Sequence, residues 1–228
     1  NAMTKRSEAT NLKDSPAQKI DGWLFKASAR IRALETALNI TPGFFWKLCD
    51  QGDDWSFLIK VHALLEMAIG HLIQQRIGIP ELDPIIEKAS LNGGTTSKIK
   101  IASALSLIDK DTTNFVDALS NLRNKAAHRI DSVALTMDDF IQAIEDKGVR
   151  NLLLRRNADQ SKELIIETVK LAPRFTIWIS ALNMLTEVYE KKKDIIAPSA
   201  VQYMSNHFLT GGVPLTGLRG LLDLPTDP

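Results

Sequence analysis

One stretch of the sequence combines a permanent cation with a proton-transferring ring at close spacing. It runs from Arg123 through Asn124 to His128, near the end of a segment whose apolar residues recur at helical spacing. An arginine stabilises negative charge on a phosphoryl group, and an imidazole accepts and donates protons near neutral pH. These are the groups that cleave a phosphodiester bond without a metal, so Arg123 and His128 are the first candidates for a catalytic pair.

The helix that positions this pair is predicted over residues 113–130. At about 100° per residue, Arg123 lies at the edge of the apolar arc and His128 on the opposite, polar side. Asn124 lies one turn before His128 and can fix the tautomer of its ring. Within one chain the two groups do not share a face, but a two-fold axis can bring two copies together. The core face carries Phe115, Leu119, Leu122, Ala126 and Ile130.

The same pattern also has an ordinary structural explanation. The chain has eleven arginines and four histidines, so a match of this length arises readily by chance. An arginine at the edge of a core commonly forms a structural ion pair, and a histidine on a polar helix face is commonly solvated. The sequence leaves both interpretations open.

Glu66 is the candidate supporting residue, because it falls inside the most apolar segment, predicted as a central helix over 55–77. A carboxylate on a face shared with isoleucines is unfavourable unless it is paired. We predict Arg123 as its partner, since a half-buried guanidinium offers planar donors. The alternatives are that Glu66 faces solvent, or that Lys60 or Arg76 pairs with it.

Composition excludes several classes of protein. The 228 residues fit one large domain, or one domain with an appendage, and the net charge of +1 gives no general attraction to nucleic acid or acidic membranes. Cys49 is the only cysteine, so no disulfide forms within the chain. No metal-ligand spacing is present, and we expect neither a metal nor another cofactor. Residues 1–3 are typical of an expression-tag remnant.

The most apolar segment, from Phe57 to Ile73, is not expected to cross a membrane, because ionisable side chains interrupt it. No signal-peptide pattern precedes it. We therefore expect a cytoplasmic protein without membrane contact. The interrupting residues are Lys60, His62, Glu66 and His71.

Helical periodicity and breakers predict an all-α fold, with no strand alternation. Caps are predicted at Asp53 or Asp54, at Asp111 or Thr112, and as a capping box at Thr136. Pro173 is expected to kink or split the last long helix. The predicted helices cover 16–39, 44–50, 55–77, 84–90, 97–108, 113–130, 136–147 and 159–193. The expected divisions are a tag remnant and flexible N-terminus (1–14), a bundle (15–150), C-terminal helices packed on it (151–193) and an extended tail (194–228).

Several of these segments together resemble the mannitol operon repressor family, a branch of the HEPN superfamily of helical domains. The resemblance covers about 55–145 and includes the Thr136-Met137-Asp138-Asp139 helix start. It implies an antiparallel helical bundle that dimerises across the motif helices. The other segments that carry it are Phe57-Leu58-Ile59, Ala63-Leu64-Leu65-Glu66, Ser97 to Ala102, Leu105 to Ile108, and Leu122-Arg123-Asn124 with His128.

The resemblance implies two functions. Many HEPN proteins are metal-independent ribonucleases of toxin–antitoxin and defence systems, which would make Arg123 and His128 the active pair and RNA the substrate. The repressor-like branch is regulatory, which implies a homodimer that binds another protein, without direct reading of a DNA sequence. We expect the regulatory role, and the ribonuclease is the alternative. For residues 151–228 the resemblance implies nothing.

Overall fold

The structure is a computed structural model that describes residues 16–127, 134–154 and 161–195, with side chains from Ala27 onward except those of residues 193 and 194. The described part is 77% helical and contains no strand. The predicted all-α fold is therefore confirmed. His128 and the predicted tail beyond residue 195 lie outside the described residues.

Ten α-helices and one short 3-10 helix, Pro80–Leu82, follow one another along the described ranges. The helices are α1 (Pro16–Ala37), α2 (Phe44–Asp50), α3 (Asp54–Ile77), α4 (Asp83–Lys88), α5 (Lys98–Ala104), α6 (Lys110–Ala127), α7 (Met137–Gln142), α8 (Asp146–Asn151), α9 (Lys162–Leu171) and α10 (Pro173–Asp194).

Three predicted boundaries match the observed helices because each depends on a local signal. The side chain of Asp53 accepts a hydrogen bond from the Ser56 amide and caps α3. Thr136 and Asp139 form the expected capping box at the start of α7. Pro173 begins α10 directly after α9 ends, so the last long helical pattern is split in two.

Three other boundaries differ from the prediction. The side chain of Asp109 caps α6 by accepting from the Thr112 amide at 2.7 Å, so the predicted caps at Asp111 or Thr112 are wrong. Helix α5 ends at Ala104 rather than at 108, because Ser106 adopts a positive φ of 56° that reverses the chain. The segment predicted as one helix over 136–147 breaks after α7, and a second helix, α8, follows.

The chain divides into two compact units, residues 1–45 and 46–228. In the first unit the buried Glu35 carboxylate accepts hydrogen bonds from the amides of Gly43 (2.9 Å) and Phe45 (3.0 Å). Glu35 thereby satisfies backbone amides at the start of α2 that have no partner within the helix. The same bonds stabilise the turn between α1 and α2, where the sequence predicted a helix break. The boundaries predicted near residues 150 and 194 stay predictions.

Helix α3 is the centre of the second unit. The Trp55 indole at its start donates to the Ala126 carbonyl at the end of α6, so α3 and α6 are antiparallel. The Gln75 amide at the end of α3 donates to the Lys192 carbonyl near the end of α10, so these two helices are parallel. The buried residues of α3 cover most of its circumference: Phe57, Leu58, Val61, His62, Leu65, Ile69, Gly70, Leu72 and Ile73.

Among the described residues, α3 is also the helix whose length and composition would suffice to cross a membrane, with a mean hydropathy of 1.5 over its best window. Half of that window is buried by other parts of the same chain. A central core helix passes the same test, so this property is weak evidence for a membrane span.

Candidate functional site

Helix α6 places Arg123 and Asn124 at its outer edge. Arg123 is half-buried and Asn124 is exposed. The Arg123 guanidinium donates from Nη1 to the Asn124 Oδ1 at 3.2 Å. His128 lies outside the described residues, and the predicted pairing of Arg123 with His128 stays a prediction.

Lys98, and not Arg123, is the cation that pairs with Glu66. The Lys98 Nζ lies 3.3 Å from the Glu66 Oε1, and the other carboxylate oxygen lies 3.9 Å from the His62 Nδ1. The predicted ion pair of Glu66 with Arg123 is therefore wrong. The physical argument for a partner was sound, because the Glu66 side chain is only 32% exposed, but the partner comes from α5.

The Lys98 ammonium is buried and surrounded by acceptors. Its side chain is 4% exposed, and besides Glu66 it donates to the carbonyls of Glu87, at 3.0 Å, and Ala89. These carbonyls belong to the last turn of α4 and its C-cap, where a cation is favoured. The three bonds match the three protons of an ammonium group, so Lys98 ties α3, α4 and α5 together.

A glycine in the middle of α3 makes room for this lysine. A Cβ at Gly70 would lie 3.2 Å from the Lys98 Cε. Glycine inside a helix lowers its stability by about 1 kcal/mol relative to alanine. Gly70 is therefore explained by the lysine stem that crosses α3 at this point.

A buried histidine links α3 to α6 beside Arg123. The His62 Nε2 lies 3.3 Å from the Ser120 Oγ, and these residues are 8% and 3% exposed. Burial lowers the pKa of His62 below its usual value of 6.5, and the positive charge of Arg123 lowers it further, while Glu66 opposes the change. The ring is therefore neutral at pH 7.

Ser120, His62 and Glu66 follow one another in the order of a serine–histidine–carboxylate relay. One distance and the burial of the hydroxyl argue against nucleophilic catalysis here. The histidine and carboxylate are 3.9 Å apart, beyond hydrogen-bond length, and the hydroxyl is buried where no substrate carbonyl can reach it. The arrangement is a polar network inside the core.

A second arginine, Arg174, forms a dense polar cluster at the start of α3. Arg174 donates to the Asp54 carboxylate at 2.8 Å and lies 4.7 Å above the Phe57 ring. The second Asp54 oxygen accepts from the Met137 amide at 2.7 Å, which joins α7 to the cluster. Arg174 also donates to three backbone carbonyls before α3, those of Leu48, Gln51 and Gly52.

An open surface pocket of about 410 Å³ lies beside this cluster, and Arg123 is not among its lining residues. Its lining is mostly apolar and includes Met137, Phe175 and the single cysteine, Cys49. Burial raises the pKa of the Cys49 thiol, although the nearby Arg174 charge opposes this change. The thiol is therefore protonated at neutral pH and is not an activated nucleophile.

Sequence patterns missed the side chains that organise this region. Lys98 begins α5 between Ser97 and Ile99, and nothing in these neighbours distinguishes it, the buried lysine, from the exposed Lys100. His62 interrupts an apolar segment, which does not identify its hydroxyl partner, because Ser120 is 58 residues away. Arg174 directly follows Pro173 at a helix start, where a cation is disfavoured unless acceptors surround it. That position is a signal for a structural role.

The described residues contain no group of three or more histidine, cysteine, aspartate or glutamate side chains arranged to hold a metal ion. Comparison with protein-family models, curated proteins and solved structures finds no match for this chain.

Proposed function

We propose that the protein is a regulatory interaction protein that acts as a homodimer, of the kind that the resemblance to mannitol operon repressors implies. In this proposal the outer face of α6 around Arg123 and Asn124 contacts a second copy or a protein partner. No direct reading of DNA sequence is involved, which agrees with the net charge of +1.

The observation that carries the proposal is that the ionisable side chains near Arg123 are bonded to other residues of the same chain. Glu66 is held by Lys98, and His62 is buried against Ser120. His62 is too buried to act on a substrate as a general acid or base, and the partly exposed Glu66 carboxylate is engaged by Lys98. Within the described ranges, Arg123 makes one 3.2 Å hydrogen bond, to an exposed neighbour, which suits a cation at a protein interface.

The alternative is a metal-independent ribonuclease that uses Arg123 and His128 across the dimer. Arg123 favours it, because a half-buried guanidinium with one long hydrogen bond to the residues that the structure describes offers donors for a phosphate. His128, as general base or acid, would take the proton of an RNA 2′-hydroxyl or give one to the 5′-oxygen that leaves when the 2′-oxygen attacks phosphorus. Arg123 would stabilise the negative charge on the phosphoryl oxygens. Since the attacking oxygen belongs to the RNA, the product would carry a 2′,3′-cyclic phosphate.

Light scattering of the purified protein tests the interaction role. We expect a mass near twice the 25.3 kDa of one chain. Arg123→Glu places a negative charge on the proposed interface and should lower the dimer fraction at micromolar protein. The matched control is Arg76→Glu, because Arg76 is an exposed arginine at the end of α3. A monomeric parent protein, or equal dimer loss in the two variants, would contradict the proposal.

A further inference from the structure

The contact between His62 and Ser120 holds the turn of α6 that carries Arg123. Ser120 lies one helical turn before Arg123, so the two side chains are neighbours on α6. The 3.3 Å bond between the histidine ring and the hydroxyl fixes this turn against α3, and both residues are buried. Any change in the protonation of the ring therefore acts directly beside the arginine.

We propose that the His62–Ser120 contact is a pH-sensitive latch, which holds α6 against α3 while the ring is neutral and loosens when the ring is protonated. The latch would control the position of Arg123. It would do so both if the outer face of α6 binds a protein partner and if it binds RNA. It rests on the geometry of the core and not on either proposed function.

Hydrogen-bond chemistry explains why one proton changes the contact. In the neutral ring, the carboxylate of Glu66 near Nδ1 favours a proton there, and Nε2 then accepts from the Ser120 hydroxyl. Protonation turns Nε2 into a donor, so the hydroxyl must rotate and accept instead. The same step places a positive charge in the core, where its transfer from water is unfavourable.

The charges around the ring do not compensate for that proton. Arg123 on α6 repels it, and Glu66 on α3 attracts it but is already paired with Lys98 of α5. Helix α10 runs parallel to α3, because Arg174 bonds Asp54 at one end and the Lys192 carbonyl bonds Gln75 at the other. By this register, the part of α10 level with His62 is at about residues 180–183. That stretch, Ser-Ala-Leu-Asn, carries no ionisable group.

The sign of the resulting pH dependence follows from the lowered pKa of His62. Below about pH 6.5 the unfolded chain binds the proton more readily than the folded protein does. The contribution of the neutral ring is fully present above that pH. It is lost as the pH falls from there through the pKa of the folded state.

Denaturant unfolding of the full chain between about pH 8 and about pH 5 tests the latch. We expect the unfolding equilibrium constant of the parent protein to rise by up to about tenfold per pH unit below about 6.5. His62→Gln retains polar atoms but does not titrate, and it should remove this part of the slope. His71→Gln is the matched control, because His71 is an exposed histidine on the same helix, and it should leave the slope unchanged.

An NMR titration keeps the proposal testable if His62→Gln does not fold. The His62 ring should titrate below its usual pKa in the parent protein, and Arg123→Gln should move the midpoint upward by removing the repelling charge. Hydrogen exchange should quicken in α6 around Ser120 as the ring protonates, while α9 remains unchanged. The latch would be overturned if the His62 titration midpoint did not move in Arg123→Gln. It would also be overturned if amide exchange in α6 did not change when His62 is protonated.

Discussion

Arg174 and Arg123 are half-buried arginines of the same unit, yet the structure engages them very differently. Arg174 has a carboxylate, three carbonyls and an aromatic ring around its guanidinium. Among the described residues, Arg123 has one hydrogen bond, at 3.2 Å, to the residue that follows it. The first arginine joins the start of α10 to α3 and, through Asp54, to α7. The second has no comparable set of partners in the part of the chain that the structure describes.

The largest expected effect comes from removing the first arginine. Arg174→Met leaves the Asp54 carboxylate and three carbonyls without their donor, and we expect unfolding to become easier by about 3 kcal/mol. This value is at the low end for a broken buried pair, because these side chains are about one-fifth exposed. Denaturant melts measure it, with Arg76→Met as the exposed control. A loss as small as that of the control would remove the contrast between the two arginines.

The ion pair that replaces the predicted one gives the next largest effect. Lys98→Met leaves Glu66 and two carbonyls without a donor and should cost about 2–3 kcal/mol of stability. A double-mutant cycle with Glu66→Gln should show coupling between Lys98 and Glu66. The parallel cycle of Glu66→Gln with Arg123→Gln should be additive within about 0.5 kcal/mol. Strong coupling in the second cycle would restore the original pairing.

Gly70→Ala should have an effect whose sign depends on the lysine. In the parent protein the new methyl group meets a lysine stem fixed by three hydrogen bonds, and we expect a loss of about 1 kcal/mol. In a Lys98→Ala background the stem is gone, and the higher helix propensity of alanine should stabilise the protein by up to about 1 kcal/mol. Thermal melts of the four proteins provide the comparison. The same sign in the two backgrounds would mean that Gly70 does not serve Lys98.

Arg123→Ala should have the smallest effect on stability. With one long bond to an exposed neighbour, its removal should change the free energy of unfolding by less than about 1 kcal/mol. The same denaturant melts measure this change beside that of Arg174→Met. A loss comparable to that of Arg174→Met would make Arg123 a structural residue and would weaken its proposed role at an interface.

Most of the fold could be predicted because helix signals are local. Apolar periodicity located the helices, and the capping box at Thr136 and the proline at 173 marked two of their boundaries. The errors arose where a tertiary contact selects among neighbours. Asp109 caps α6, but Asp111 and Thr112 follow within three residues and are also suitable capping residues. The end of α5 depends on the turn at Ser106.

The candidate site was less predictable because its partners are distant in sequence. The argument that Glu66 needs a cation was correct, yet several cations competed for that place. Lys98 is 32 residues away and reaches Glu66 only because Gly70 lets its stem cross α3. No periodicity in one sequence encodes such a crossing. The Arg123–His128 pair follows from a short motif, and its geometry lies outside the described residues.

RNA cleavage in the presence of EDTA tests the central claim, that Arg123 serves an interaction and not a reaction. The parent protein, His128→Ala and Arg123→Ala should be compared at equal concentration after their fold and mass have been checked. We predict no cleavage above the background that His128→Ala shows. Cleavage by the parent protein that both substitutions abolish, with products ending in a 2′,3′-cyclic phosphate, would contradict the claim and establish the ribonuclease instead.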